Sequence, residues 1–112
     1  MLPQPERLRS NQEFQRVYQG GESFVEGLVV LYLLRLPEEP TRQAGFSVSK
    51  KLGKAVTRNV VKRRLREAYK ACLPALPRGY AAVFVARKAA AEAEFPALEK
   101  AMRKVLARAG LV

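Results

Sequence analysis

Lysines and arginines crowd the stretch from Lys50 to Lys70, KKLGKAVTRNVVKRRLREAYK, and the chemistry open to so many cations on one short element is the capture of anions. If a helix starts after Thr57 and turns by about 100° per residue, Arg58, Asn59, Lys62, Arg63, Arg66 and Lys70 fall on one face about 140° wide. Val61, Leu65, Ala68, Tyr69 and Cys72 form an apolar stripe beside it, so the helix has a core side and a charged side. Charged helix faces are ordinarily just solvated, but such faces interleave acids with bases, and here only Glu67 interrupts the cations. Thr57 is the expected N-cap, which places Arg58 and Asn59 in the first turn, where the helix dipole disfavours positive charge. That local cost points to an anion that offsets it. Phosphate fits, because the free amide N–H groups at a helix start also attract it.

The remaining residue types narrow the chemistry further. The chain has no His and a single cysteine, Cys72, so no Ser-His or Cys-His pair and no thiolate or imidazole metal site can be assembled. All ten acids are glutamates, scattered from Glu6 to Glu99, whereas a two-metal nuclease site needs clustered carboxylates. No Gly-rich phosphate loop occurs. Self-contained catalysis is therefore disfavoured, and binding is favoured. With 112 residues and a net charge of +11, the chain is one domain, residues 1–112, with a polyanionic partner. Nucleic acid is the first choice and an anionic membrane the second.

Aromatic side chains could add stacking on unpaired bases. Phe14, Tyr18, Tyr32, Phe46, Tyr80 and Phe84 are the candidates, each contact typically contributing about 1 to 3 kcal/mol. Core packing is the competing role for every one of them, since a domain of this size needs aromatic volume inside. Cys72 lies on the apolar arc and reads as a small buried hydrophobe in a reducing compartment. The N-terminus offers no apolar signal segment, and the longest apolar run, Leu28 to Leu34, is far too short to span a bilayer. A cytoplasmic location follows as the expectation.

These groups need elements to hold them. Residues 1–9 are rich in proline and charge and read as an N-terminal arm. Ser10 with Glu13 three residues later is a capping-box pattern that opens a helix ending near Gln19. Phe24 to Leu36 predicts one long strand with both faces covered, and Ala44 to Ser49 a second strand forming a hairpin with it. Gly53 lets the chain turn into the basic helix, which must end by Leu73 because Pro74 and Pro77 follow. Tyr80 to Arg87 predicts a third strand, and the three- and four-residue spacing of Phe95, Leu98, Met102, Val105 and Ala109 a last helix ending at Gly110. The order is α-β-β-α-β-α, a two-layer α+β sandwich.

Taken together, FSVSKKLGKAVTRNVVKRRLREAY from Phe46 to Tyr69 resembles the signature of the bacterial ribonuclease P protein family. It combines a strand ending in SxSKK, a G-x-A-V turn and an arginine-asparagine box, RNxxKRxxRE; the similarity runs from Leu8, Phe14 and Val17 to Ala86 and Arg87. The resemblance implies a fold like that of the second domain of ribosomal protein S5, with a left-handed β-α-β crossover. It implies a monomeric protein bound one-to-one to a large catalytic RNA, the two together removing the 5′ leader of precursor tRNA. The RNA does the cutting, with Mg²⁺ ions held mainly by the RNA. Matching the family, Lys50, Lys51, Lys54, Arg58, Asn59, Lys62, Arg63 and Arg66 are expected to face the catalytic RNA. Phe14, Tyr18, Tyr32, Phe46 and Ser47 are expected to line the leader cleft, with Lys50 and Lys51 between the two regions. Many relatives carry a third cation directly after the asparagine, where this chain has Val60 and offers Arg64 on a neighbouring flank. A structural RNA-binding protein of ribosomal type is the alternative, because it would use the same basic helix and the same kind of fold.

Overall fold

A computed structural model describes residues 7–112. Helix α1 (Asn11–Gly20) starts as expected: the Ser10 hydroxyl accepts the Glu13 N–H, and the Glu13 carboxylate accepts the Ser10 N–H at 2.9 Å. Strands β1 (Glu22–Val25), β2 (Val29–Arg35) and β3 (Arg42–Ser47) follow. Helix α2 (Ala55–Cys72), strand β4 (Tyr80–Ala86) and helix α3 (Phe95–Arg108) complete the order. Residues 1–6 of the expected arm lie outside the described residues. Arg7 pairs with Ala44 in a parallel bridge, and the Leu8 N–H donates to the Ala44 carbonyl at 3.0 Å, so the arm covers the edge of β3.

The expected long strand from Phe24 to Leu36 is instead an antiparallel hairpin, β1 and β2, in register from Glu22 opposite Leu33 to Val25 opposite Val30. Its turn occupies Glu26 to Leu28 and is closed by the Glu26 N–H on the Val29 carbonyl. Nor do β2 and β3 pair with one another. The sheet order is β1-β2-β4-β3, with β4 antiparallel to β2 and parallel to β3. The physical reason is burial: β4 is apolar on both faces and takes a central position, whereas Gln43 and Ser47 suit β3 to the edge. Gly79, at φ 87°, lets the chain enter β4 there. Its N–H donates to the Thr41 carbonyl and its own carbonyl accepts the Leu36 N–H, tying both ends of the β2–β3 connection to it.

Helices cover both faces of the sheet, so the layering is helix, sheet, helix and not two layers. Strand alternation sets which side chains meet which helix. Leu31, Leu33, Ala44, Phe46, Ala82 and Phe84 pack with Val61, Leu65, Tyr69, Leu98, Met102 and Val105 of α2 and α3. On the opposite face, Ala81 and Val83 are buried with Leu8 and with Val17 of α1. The apolar stripe predicted for the basic helix is present: Val61, Leu65, Ala68 and Tyr69 are buried, and Cys72 is partly buried against the same core. Arg42 closes the helix end, its Nη1 donating to the Leu73 and Leu76 carbonyls at 3.1 Å each. No helix among the described residues is long and apolar enough to cross a membrane.

Candidate nucleic-acid interface

The basic helix begins earlier than its sequence suggests. Lys54 is the N-cap and Ala55 the first helical residue, because Gly53, at φ 127°, makes the turn by itself and Ala55 and Val56 are free to join the helix. Thr57 therefore caps nothing, and Arg58 and Asn59 lie just past the first turn. The cation at the positive end of the helix is Lys54, with Lys50 and Lys51 in the 3-10 turn before it, anchored by buried Leu52. Arg58 reaches back over this corner, its Nε donating to the Gly53 carbonyl at 3.2 Å.

Along α2, Arg58, Lys62 and Arg66 follow at four-residue steps, and Asn59 and Arg63 are exposed beside them. Arg64 does not join this face. Its Nη1 donates to the Ala93 carbonyl at 3.2 Å, so it fastens α2 to the segment before α3. Lys62 and Arg66 turn toward the edge of β3, where with Arg7, Arg9 and Phe46 they wall a cavity of about 320 Å³. A neighbouring cavity of about 350 Å³ lies between α1 and the end of β3, walled by Arg9, Asn11, Phe14, Tyr18, Ser47 and Lys62. Arg9, Phe46 and Lys62 belong to both. The two expected surfaces thus meet at Arg9 and Lys62 and form one track. Lys51 turns elsewhere, into a hollow with Lys88 and Glu92.

Aromatic rings floor this track on the α1 side. Gly45, Val83 and Tyr32 stand in register across β3, β4 and β2. Phe14 lies over Gly45, Tyr18 meets the Tyr32 ring edge-on with centroids 5.0 Å apart, and Phe14 and Tyr18 are 6.5 Å apart. The three rings therefore form a row across the sheet, each partly exposed. Ser47 is two residues beyond Gly45 and lies on the same face. Phe46, expected with them, points to the other face. It is 5% exposed, stacked 5.6 Å from Phe84 and edge-on to Tyr69, so it contributes wall but no free ring face. Alternation along β3 decides this, since Gly45 and Ser47 take the cleft side.

Sequence reasoning missed Arg7, Arg9 and Asn11. A signal was there: in Arg7-Leu8-Arg9 the buried Leu8 between two cations is the period-2 pattern of an extended segment. Among the described residues, no three His, Cys, Asp or Glu come together in a group that could hold a metal ion.

The family model for Ribonuclease P matches residues 2–110. The chain belongs to the ribonuclease P protein family. It is 41% identical over 106 residues to the ribonuclease P protein component of Symbiobacterium thermophilum, covering 95% of this chain and 92% of that one. To the component of Caldanaerobacter subterraneus it is 42% identical over 105 residues, covering 94% and 90%. Among solved structures, the Staphylococcus aureus ribonuclease P protein superposes with a TM-score of 0.85 at 32% identity, covering 94% of this chain and 95% of that one. The Thermotoga maritima protein superposes at 0.80 with 27% identity, covering 92% and 96%. Ribonuclease P membership carries a subunit role in tRNA processing, and it matches the α+β architecture described above.

Proposed function

We propose that this chain binds the catalytic RNA of ribonuclease P with the basic face of α2, and cradles the 5′ leader of precursor tRNA in the cleft between α1 and the sheet. The observation that carries this reading is the shared wall of Arg9 and Lys62, which joins a row of partly exposed rings to a ladder of cations. A single strand can stack its bases on Phe14 and Tyr18 while its phosphates pass Arg9 and Lys62. Neutralising phosphates on both nucleic acids lowers their mutual repulsion, so the protein raises substrate affinity without a catalytic side chain. Hydrolysis belongs to the RNA, which holds the Mg²⁺ mainly by its own oxygens; among the described residues no carboxylates converge on a metal site. The protein acts as a cytoplasmic monomer, one copy to one RNA.

Reconstitution tests this. Adding the protein to its cognate catalytic RNA at low Mg²⁺ should stimulate release of the leader from precursor tRNA. Tight RNA binding with no gain in processing would instead support a purely structural RNA-binding role.

A further inference from the structure

On the outer side of α2, two valines stand among the cations. Val56 is 77% exposed, the most exposed of the large apolar side chains in the described residues, and Val60 follows one turn later and is only partly buried. Stepping about 100° per residue from Arg58, Val56 falls near 160° and Val60 near 200°, so the pair forms one strip directly beside Asn59 and Arg63. The other flank of the strip is Arg64, whose guanidinium is tied to the Ala93 carbonyl. Neither valine belongs to the packed core.

An apolar strip flanked by Arg63 and Arg64, with the exposed acid Glu67 in line with it two turns beyond Val60, suits a partner that carries both negative charge and flat apolar surface. Two valines are too small an area for a lipid surface or for a stable protein interface. An RNA offers the required combination, a phosphate for Arg63 beside the strip and an unpaired base or exposed ribose for the valines. We propose that Val56 and Val60 form an apolar contact for an unpaired nucleotide of the catalytic RNA, which supplies affinity that does not depend on salt. This rests on the reading that the basic face of α2 meets that RNA.

The test is the Val56→Ser, Val60→Ser double variant of the full chain, titrated with the cognate catalytic RNA over a series of salt concentrations. Burying both side chains predicts about a tenfold loss of affinity at every concentration. The slope of log K against log salt should stay the same, because no phosphate contact is removed. Should the serines lower helix content, the isosteric Val56→Thr, Val60→Thr pair reads the same contact. Unchanged affinity, or a loss that appears only as a change of slope, overturns the proposal. So does a wild-type dimer that the variant abolishes while RNA affinity holds, which would assign the strip to a second copy of the chain. Failure of the wild-type protein to bind the RNA at all would overturn the reading beneath it instead.

Discussion

Phe14 lies so close over Gly45 that a Cβ added to the glycine would stand 2.9 Å from its Cε2 and nearer still to its Cζ. The glycine is therefore what lets the ring rest on the sheet at the floor of the cleft. Gly45→Ala should lift Phe14 and destabilise the fold by about 1 to 3 kcal/mol, as overpacking does. Binding of leader-bearing tRNA should weaken more than binding of mature tRNA, and Phe14→Ala should show the same preference. Equal losses for the two ligands, measured side by side, would count against a leader contact at this ring.

Arg58 and Arg66 differ in what else they hold. Each substitution to alanine should reduce the salt slope of catalytic-RNA binding by roughly one. Arg58→Ala also removes the hydrogen bond to the Gly53 carbonyl, so it alone should loosen the corner before α2. Faster hydrogen exchange at Leu52 and Gly53 in that variant, and not in Arg66→Ala, would separate the two effects. An unchanged slope in both variants would remove this face from the interface.

Deep in the core, the hydroxyls of Tyr69 and Tyr80 are 2.6 Å apart. Tyr69→Phe removes one of them and should cost about 1 to 2 kcal/mol in a denaturant titration. Tyr69 is fully buried and meets the track only through Phe46, whose packing a Phe ring preserves, so RNA affinity of the folded variant should match wild type. A large loss of affinity would mean that the core sets the geometry of the basic face more tightly than its packing indicates.

Glu13 titrates below the ordinary carboxylate range, chiefly because its carboxylate accepts the Ser10 N–H and then because it accepts the Arg9 N–H, while burial opposes the shift. A depressed folded-state value means that its contribution is present above the unfolded value. It is lost as pH falls through the folded one. The α1 cap should thus weaken below about pH 4. Ser10→Ala removes only the hydroxyl and keeps the Ser10 and Arg9 N–H donors, so the Glu13 titration, followed by NMR, should stay depressed while the lost cap costs about 1 kcal/mol of stability. A full return to the ordinary value in this variant would show that the backbone N–H groups do not hold the carboxylate.

Burial pushes the Cys72 thiol up from its ordinary value, with Arg103 opposing and Glu99 adding to the shift. At neutral pH the thiolate is scarce. Alkylation should accordingly run several-fold slower than for a free cysteine, and approach it once the protein is denatured. Equal rates in the native and denatured states would contradict the partial burial of this side chain.

Much of the site is local and was therefore legible in the chain itself. The basic face, the buried stripe of Val61, Leu65, Ala68 and Tyr69, and the Ser10–Glu13 box all depend on spacing within a helix, which 3.6-residue periodicity fixes wherever the helix sits. The first residue of α2 was misplaced because Gly53 turns the chain without needing a Thr57 cap.

What the tertiary structure alone decided is which strand neighbours which and what meets across the sheet. The alternation of Gly45, Phe46 and Ser47 is written in the sequence, but which side faces the cleft depends on α1 packing over one face and α2 over the other. Inserting β4 between β2 and β3 aligned Gly45, Val83 and Tyr32, and no local preference encodes that register, because it follows from burying both faces of β4. The arm on the β3 edge brought Arg7 and Arg9 beside Lys62 and Arg66, residues more than fifty positions away. Charge and ring chemistry were set by residue type; their joining into one track came from long-range packing, which acts between segments that the order of residues keeps apart.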